Sequence, residues 1–395
     1  MMKFSLQVLP HLLICVFLVA CSGKVDRPGG PGTEWTSFGG SPGGGHFSPA
    51  NEITPANVHA LKVAWVHRSG DFRGPPAQGV GAINGPLQQT GFGVTAIVAD
   101  DTLYYCTPYN RVFALDAANG KERWVFDPHV DVSQENVPVC RGVSLWVGEG
   151  ASGPCSKRIF TGTLDARLIA LDAANGAVCP DFGAGGTVDL NAGLTPHGSK
   201  EYSVTSPPAI SGDTIIVGAL VADSFRKGVP AGVVRAFDTR SGALKWAWNA
   251  VPPGESDVNE DGTWRAGTPN VWSIISVDPQ RNLIFLPTGN AGHDYFGGDR
   301  AGLDYYSTSV VALDGTTGKV VWHFQAVHHD VWDYDVPAQP TLIDLTIDGK
   351  NVPALVEVTK MGFTFVLNRE TGEPLFPVEE KPAPQDGAVP EERLS

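Results

Sequence analysis

Three carboxylates, two imidazoles and two large aromatic side chains fall within Val327 to Pro337, the run VHHDVWDYDVP. Carboxylates and imidazoles are the side chains of proton transfer and of hard-metal ligation, so a run this dense in them is where chemistry would concentrate. In an extended segment successive side chains alternate between faces, so Asp333 and Asp335 share a face with Val331 while Trp332 and Tyr334 pack on the other. Pro337 and Pro340 end regular structure, and a loop pinned in this way presents one carboxylate rigidly. The competing reading is an acidic surface loop anchored by Trp332, since aspartates gather in turns for local hydrogen-bonding reasons.

The elements that must position this run come from a turn-rich chain. With 47 glycines, 31 prolines and only 18% charged residues among 395, the composition describes many short strands. A net charge of −14 without a basic stripe argues against nucleic acid as a partner. Met1-Met2-Lys3 followed by the apolar run Leu6 to Ala20 and then Cys21 has the form of a bacterial lipoprotein signal. Residues 1–20 are therefore expected to be the signal, with Cys21 lipidated, residues 21–33 a flexible tether and residues 34–395 the folded domain. Ser22 after the cysteine favours the outer membrane, so the expected location is periplasmic and lipid-anchored. Elsewhere no apolar run approaches the roughly 18 residues of a spanning helix. Cys106, Cys140, Cys155 and Cys179 lack metal-ligand spacing and suit an oxidising compartment, with Cys140 to Cys155 the favoured disulfide.

Internal repetition organises the body. Val112 to Lys121 (VFALDAANGK), Leu168 to Gly176 (LIALDAANG), Val234 to Gly242 (VRAFDTRSG), Val311 to Lys319 (VALDGTTGK) and Phe365 to Gly372 (FVLNRETG) are copies of one strand, turn, strand pattern. Asp or Asn folds back on the turn, glycine takes the positive-φ position, and an aromatic follows at fixed spacing: Trp124, Trp246, Trp322 and Phe376. The second copy has Pro180 in that place. Such a hairpin cannot bury its own face, so neighbours must stack, and the wide spacing between copies suits four-stranded blades: the fold is expected to be an all-β propeller.

The hairpins resemble the tryptophan-docking motifs of the quinoprotein alcohol dehydrogenase superfamily, eight-bladed propellers that bind pyrroloquinoline quinone (PQQ). Cys140-Arg141-Gly142-Val143, Thr163 to Ala170, Thr205-Ser206-Pro207-Pro208, Pro287-Thr288-Gly289-Asn290 and the run through Pro337-Ala338-Gln339-Pro340 are most similar to the membrane-type glucose, quinate and polyol dehydrogenase branch. The resemblance implies Asp333 as catalytic base, flanked by Asp330 and Asp335 as structural residues. It implies Trp272 as the indole beneath the quinone, and Lys360, Arg141 and Thr205 as polar contacts to the cofactor. Asp223, Asn290 and Asp333 would ligate a divalent metal, Ca²⁺ by preference and Mg²⁺ as the alternative. A planar anionic cofactor needs an aromatic floor and cationic rims, and a hard cation takes oxygen ligands and polarises a carbonyl.

The sequence departs from that branch in places. Val137 stands where relatives of the glucose enzymes have histidine, the run Phe92-Gly93-Val94-Thr95-Ala96 lacks the glutamate that relatives carry before Val-Thr-Pro, which removes a cofactor contact, and Ser224 replaces an asparagine beside Asp223. The adjacent-cysteine ring of the methanol and ethanol enzymes is absent. Only five hairpin copies and an opening strand near Leu61 to Val66 are present, so about five blades of an incomplete ring are expected, an N-terminal fragment or half of a split protein. Two functions follow: a PQQ- and metal-dependent dehydrogenase of a sugar, polyol or cyclic alcohol that passes electrons to ubiquinone or a cytochrome, or a non-enzymatic propeller lipoprotein resembling outer-membrane assembly scaffolds. The set Trp272, Asn290, Asp333 and Lys360 separates them, because a scaffold has no use for it.

Overall fold

The turn chemistry read from the hairpin copies is what closes them. In the first copy Asp116 Oδ1 accepts the backbone N–H groups of Ala118 at 3.0 Å and Asn119 at 3.2 Å, and Gly120 takes φ +71° as its N–H bonds Asp116 O. Asp314 and Asn368 repeat the arrangement. The computed structural model describes residues 34–71, 91–132, 138–150, 152–224, 226–386, 392 and 394–395. The expected signal, Cys21, the expected tether and Val137 lie outside the described residues.

Five antiparallel sheets form the blades, each a meander in chain order. Blade 1 comprises strands Ile97–Ala99, Thr102–Cys106, Val112–Asp116 and Glu122–Phe126. Blade 2 runs Ser144–Val147, Lys157–Gly162, Arg167–Asp172 and Thr187–Asp189. Blade 3 is Ala209–Ser211, Thr214–Val217, Val234–Asp238 and Leu244–Trp248, and blade 4 is Ser276–Asp278, Leu283–Pro287, Ser309–Asp314 and Val320–Gln325. Blade 5 has three strands, Thr341–Ile347, Lys350–Val358 and Thr364–Asn368. Its last copy makes only a bridge from Leu367 to Pro374 where a fourth strand was expected.

The first strands of blades 2 to 5 adjoin one another, which makes the arrangement radial about an axis. The segment from Trp35 crosses that axis: Trp35 bridges Val98 of blade 1, Pro42 O accepts Val277 N of blade 4 and Gly43 O accepts Leu342 N of blade 5. A cavity of about 280 Å³ between this segment and Pro207, Pro208, Ile274 and Ile275 contains none of the predicted site residues. The core is a series of interblade layers, such as Ile216, Ala236, Ile284, Leu286 and Val311 between blades 3 and 4.

Each spaced tryptophan seats on the turn glycine of the following blade. The Nε1 of Trp124 donates to Ala173 O at 3.1 Å, that of Trp246 to Gly315 O at 3.0 Å and that of Trp322 to Arg369 O at 3.2 Å. Trp65 does the same to Ala117 O of blade 1, so the opening segment is docked, although Leu61 to Val66 forms no ladder and is not the strand expected. Phe376, at the equivalent place in blade 5, is 55% exposed. With Phe363 and Val358 it leaves an apolar blade face open, in keeping with an incomplete ring.

Blades 2 and 3 join differently, which explains Pro180. Gly183 N donates to Ser241 O, and the loop around Gly183 and Val188 occupies the space over Gly242 that an indole fills elsewhere. Trp146 bonds Asp213 across this interface and lies against the guanidinium of Arg240 at 5.0 Å. The disulfides correct the expected pairing. Cys140 bonds Cys106 and Cys155 bonds Cys179, because the strand carrying Cys106 runs beside the segment entering blade 2 while Cys155 and Cys179 cap one blade.

Candidate functional site

Asp330 shapes the chemistry-rich run. Fully buried, it accepts Trp332 N at 2.9 Å on Oδ1, and Tyr334 N at 2.7 Å and Thr308 Oγ1 at 2.9 Å on Oδ2. These bonds curl the run into a turn with Asp333 at φ +59°, rather than the extended segment that alternation predicts. Trp332 is 41% exposed and does not anchor the loop.

The turn nevertheless brings Asp333 and Asp335 to one cation. Lys360, just past the second strand of blade 5, places Nζ 3.0 Å from Asp333 Oδ1, 2.9 Å from Asp333 O and 3.3 Å from Asp335 Oδ2. Burial pulls the ammonium down, but Asp335 and Asp333 outweigh it and its pKa lies above the ordinary lysine value. Asp335 is the hub. Its Oδ2 also accepts Trp272 Nε1 at 3.0 Å and its Oδ1 accepts Asn290 N at 2.7 Å. Trp272 lies between blades 3 and 4, with the Arg141 guanidinium 5.0 Å from its ring. Arg141 donates to Thr205 Oγ1 at 2.7 Å, and Ser206 Oγ holds Trp272 O at 2.6 Å. The disulfide to Cys106 fixes the residue beside Arg141.

A second layer is acidic. Asp223, which ends the segment after strand Leu220–Val221, faces Asp294 and Asp335; burial first, then those two charges, hold its carboxyl well above the usual range. Burial, Asp335 and Asp333 push Asp294 up to about 7. Asn270 Nδ2 donates to Asp223 Oδ2. The close approach requires glycine at 289, where a Cβ would stand 2.9 Å from Asn270 Oδ1 and 3.0 Å from Asp335 Oδ1.

Arg141, Thr205, Trp272, Asp333 and Lys360 thus converge from blades 2 to 5, with Asp223 and Asn290 beside them. Cys140 and Cys155 stand apart, each with its own disulfide partner. Sequence reasoning treated Asp335 as a flanking residue and missed Asn270 and Asp294. The only local signals were proximity: Asn270 lies two residues before Trp272 and Asp294 four after Asn290.

The side chains fit both groups the sequence implies. An indole floor edged by Arg141, Lys360 and Thr205 suits a flat anionic ring system. Asn270 Oδ1 and Asp294 Oδ1 are buried without hydrogen-bond partners, and with Asp223 they offer the oxygen donors that a hard cation requires. Among the described residues no three His, Cys, Asp or Glu side chains form a metal-holding group by themselves, so amide oxygens would have to complete a shell.

The profile described as "PQQ: Glucose/ethanol/alcohol dehydrogenase, beta-propeller domain" matches residues 35–395. The quinoprotein glucose dehydrogenase of Escherichia coli K12 is 40% identical over 367 residues, covering 90% of this chain and 45% of that protein. The glycerol dehydrogenase large subunit of Gluconobacter thailandicus is 40% identical over 370 residues, covering 90% and 48%. Among solved structures, the quinohemoprotein alcohol dehydrogenase from Comamonas testosteroni superposes with a TM-score of 0.70 at 27% identity, over 87% of this chain and 48% of that one. The chain spans about half the length of the relatives it matches.

Proposed function

The chain belongs to the PQQ β-propeller family of glucose, ethanol and alcohol dehydrogenases, and on that premise we propose that it carries the cofactor and base half of a PQQ- and metal-dependent dehydrogenase acting on a sugar, polyol or cyclic alcohol. The observation that carries the reading is one connected set: Arg141 against Trp272, Trp272 bonded to Asp335, and Asp335 and Asp333 sharing Lys360. A scaffold lipoprotein has no use for a buried carboxylate hub tied to an indole and an ammonium.

The bound quinone would supply the two-electron acceptor, taking hydride from the carbinol carbon. Trp272 would support its ring face, with Arg141 and Thr205 at one rim and Lys360 at another. Asp333 accepts the substrate hydroxyl proton; its side chain is 35% exposed, open enough for a substrate to reach. Lys360 fixes the rotamer of Asp333, while Asp335 holds Lys360 and Trp272 in register. Asp223, Asn290 and Asp333 would face the cation, Ca²⁺ by preference, which would polarise a carbonyl.

The same reading places the protein in the periplasm, held to the outer membrane by lipid on Cys21, with electrons passing to ubiquinone or a cytochrome. Titration of the apo-protein with PQQ in Ca²⁺ buffer tests it. Saturable quenching of tryptophan fluorescence, weakened at least tenfold in Trp272→Ala, and dye reduction with a panel of sugars and polyols are expected. Unchanged affinity in Trp272→Ala would place the cofactor elsewhere.

A further inference from the structure

Arg300 is a buried charge with no part in the chemistry above. It lies in the long blade 4 loop between strands Leu283–Pro287 and Ser309–Asp314 and is 1% exposed. Its Nη2 donates to the carbonyls of His293 at 3.1 Å and Asp294 at 2.8 Å, and its Nη1 donates to Asp304 Oδ1 at 2.7 Å. The other oxygen of Asp304 meets His329 Nδ1 at 3.0 Å, while Gln325 Nε2 holds Asp304 O at 2.6 Å. The Nε2 of His329 meets Glu392, so both ring nitrogens are engaged and the ring is locked. His329 immediately precedes Asp330, whose two oxygens cap the turn that carries Asp333. Both ends of the same loop reach that turn as well. Near its start Asn290 Nδ2 donates to Asp330 O at 2.9 Å, and at its end Thr308 Oγ1 donates to Asp330 Oδ2 at 2.9 Å.

We propose that Arg300, acting through Asp304 and His329, is a positioning residue that holds the Asp333 carboxylate on Lys360. The loop grips the turn at its start, middle and end, and the guanidinium gives the middle its shape. A buried arginine is costly to desolvate but rigid once a carboxylate and two carbonyls satisfy it. Its removal would leave Asp304 without its counter-charge and the carbonyls of His293 and Asp294 short of a donor. Asp304 would then be free to turn, and His329 with it. The consequence for turnover rests on the reading of Asp333 as the base, where a displacement of about 1 Å caused by a remote change can cost about a hundredfold in rate.

The brace itself is testable without turnover. Lysine acetylation of the full chain by acetic anhydride, followed site by site with mass spectrometry, reads the pair directly, because Lys360 Nζ must leave Asp333 and Asp335 to react. His329→Ala removes a side chain that is 22% exposed, so it spares the core. It should speed acetylation of Lys360 roughly threefold or more, the change in free amine that about half a pKa unit gives. Lys157, paired with Asp100 across blades 1 and 2, should react as in the parent. Arg300→Gln should match His329→Ala, and Arg300→Lys, which keeps the charge but not the fork, should fall between it and the parent; His329→Ala decides the case if Arg300→Gln does not fold. In the PQQ-loaded protein His329→Ala should lower kcat about tenfold or more with KM and PQQ affinity unchanged. Parent-like acetylation of Lys360 in folded His329→Ala would overturn the proposal, and so would a rise shared equally by Lys157 with a lower melting temperature, which marks a merely structural role. Faster acetylation of Lys360 alone with parent-like kcat would uphold the brace and overturn Asp333 as the base, so the two readings fail separately.

Discussion

Replacing Asp333 by asparagine removes proton acceptance while leaving an oxygen at the position for Lys360 and for the cation. Asp333 sits at φ +59°, a conformation that asparagine tolerates but that costs most other residues about 1–2 kcal/mol, so Asn keeps the turn where Ala would strain it. The amide oxygen can still accept Lys360, which also keeps its bonds to Asp333 O at 2.9 Å and Asp335 Oδ2 at 3.3 Å. What is lost is the capacity to take a proton. General-base catalysis contributes about 10²–10⁴-fold, and at about 1.4 kcal/mol per decade the barrier should rise by roughly 3–6 kcal/mol. The assay is PQQ-loaded dye reduction on the best substrate of the panel, beside PQQ affinity from fluorescence quenching. The expected result is a kcat lower by at least a hundredfold with cofactor affinity within a few fold of the parent. A variant with parent-like kcat refutes Asp333 as the base, and one that loses cofactor binding to the same degree as turnover shows that the residue holds the pocket instead.

Three further outcomes concern the scaffold. At Gly318, with φ +69°, a Cβ would lie 2.6 Å from the Trp246 ring, whereas Gly349, with φ +75°, has open space; Gly318→Ala should therefore be about 1–3 kcal/mol more destabilising than Gly349→Ala in denaturant titration, and equal losses would mean that the tryptophan is not packed on the turn. Glu357 is 1% exposed with neither oxygen partnered, and burial raises its pKa well above the ordinary value. The folded state then binds a proton that the unfolded chain has released, so stability falls as pH rises above the unfolded glutamate value of roughly 4.3. Glu357→Gln should match the parent near pH 4 and exceed it by about 1–3 kcal/mol where the folded carboxyl would be ionised, and a parallel pH profile of melting temperature would contradict this. Non-reducing peptide mapping should recover Cys106–Cys140 and Cys155–Cys179, and Cys155→Ala with Cys179→Ala should cost about 3 kcal/mol from the 24-residue separation. A recovered Cys140–Cys155 link would refute the pairing.

How much of this was legible follows from the range of each interaction. The hairpin turns were readable because Asp116, Asp314 and Asn368 bond amides two and three residues ahead, a relation the sequence contains in full. The spaced tryptophans were readable as a period, but their seats on the next blade were not, since Trp246 meets a carbonyl 69 positions away. Within the site, the resemblance carried Trp272, Lys360 and Asp333 to one place, whereas alternation failed over the Val327 to Pro337 run because Asp330 spends both oxygens on capping it. Asp335 looked like a flank because its partners Trp272, Asn290 and Lys360 come from other segments.

The same reasoning explains why the interface between blades 2 and 3 escaped the repeat and yet keeps the ring regular. A docking tryptophan does two things: it fills the space over a turn glycine and satisfies a carbonyl of the following hairpin. With Pro180 at that position, the loop of Gly183 and Val188 fills the space over Gly242, while Gly183 N satisfies Ser241 O. The buried guanidinium of Arg158 then takes the carbonyls of Thr239 at 3.1 Å and Arg240 at 2.7 Å and faces the Trp146 ring at 5.7 Å. Space and hydrogen bonds are kept while the residue type is not, and across this interface Arg141 of blade 2 donates to Thr205 Oγ1 of blade 3 at 2.7 Å. The part of the site that depends on this junction is the Arg141 rim, and it stands on packing that no repeat count could have revealed.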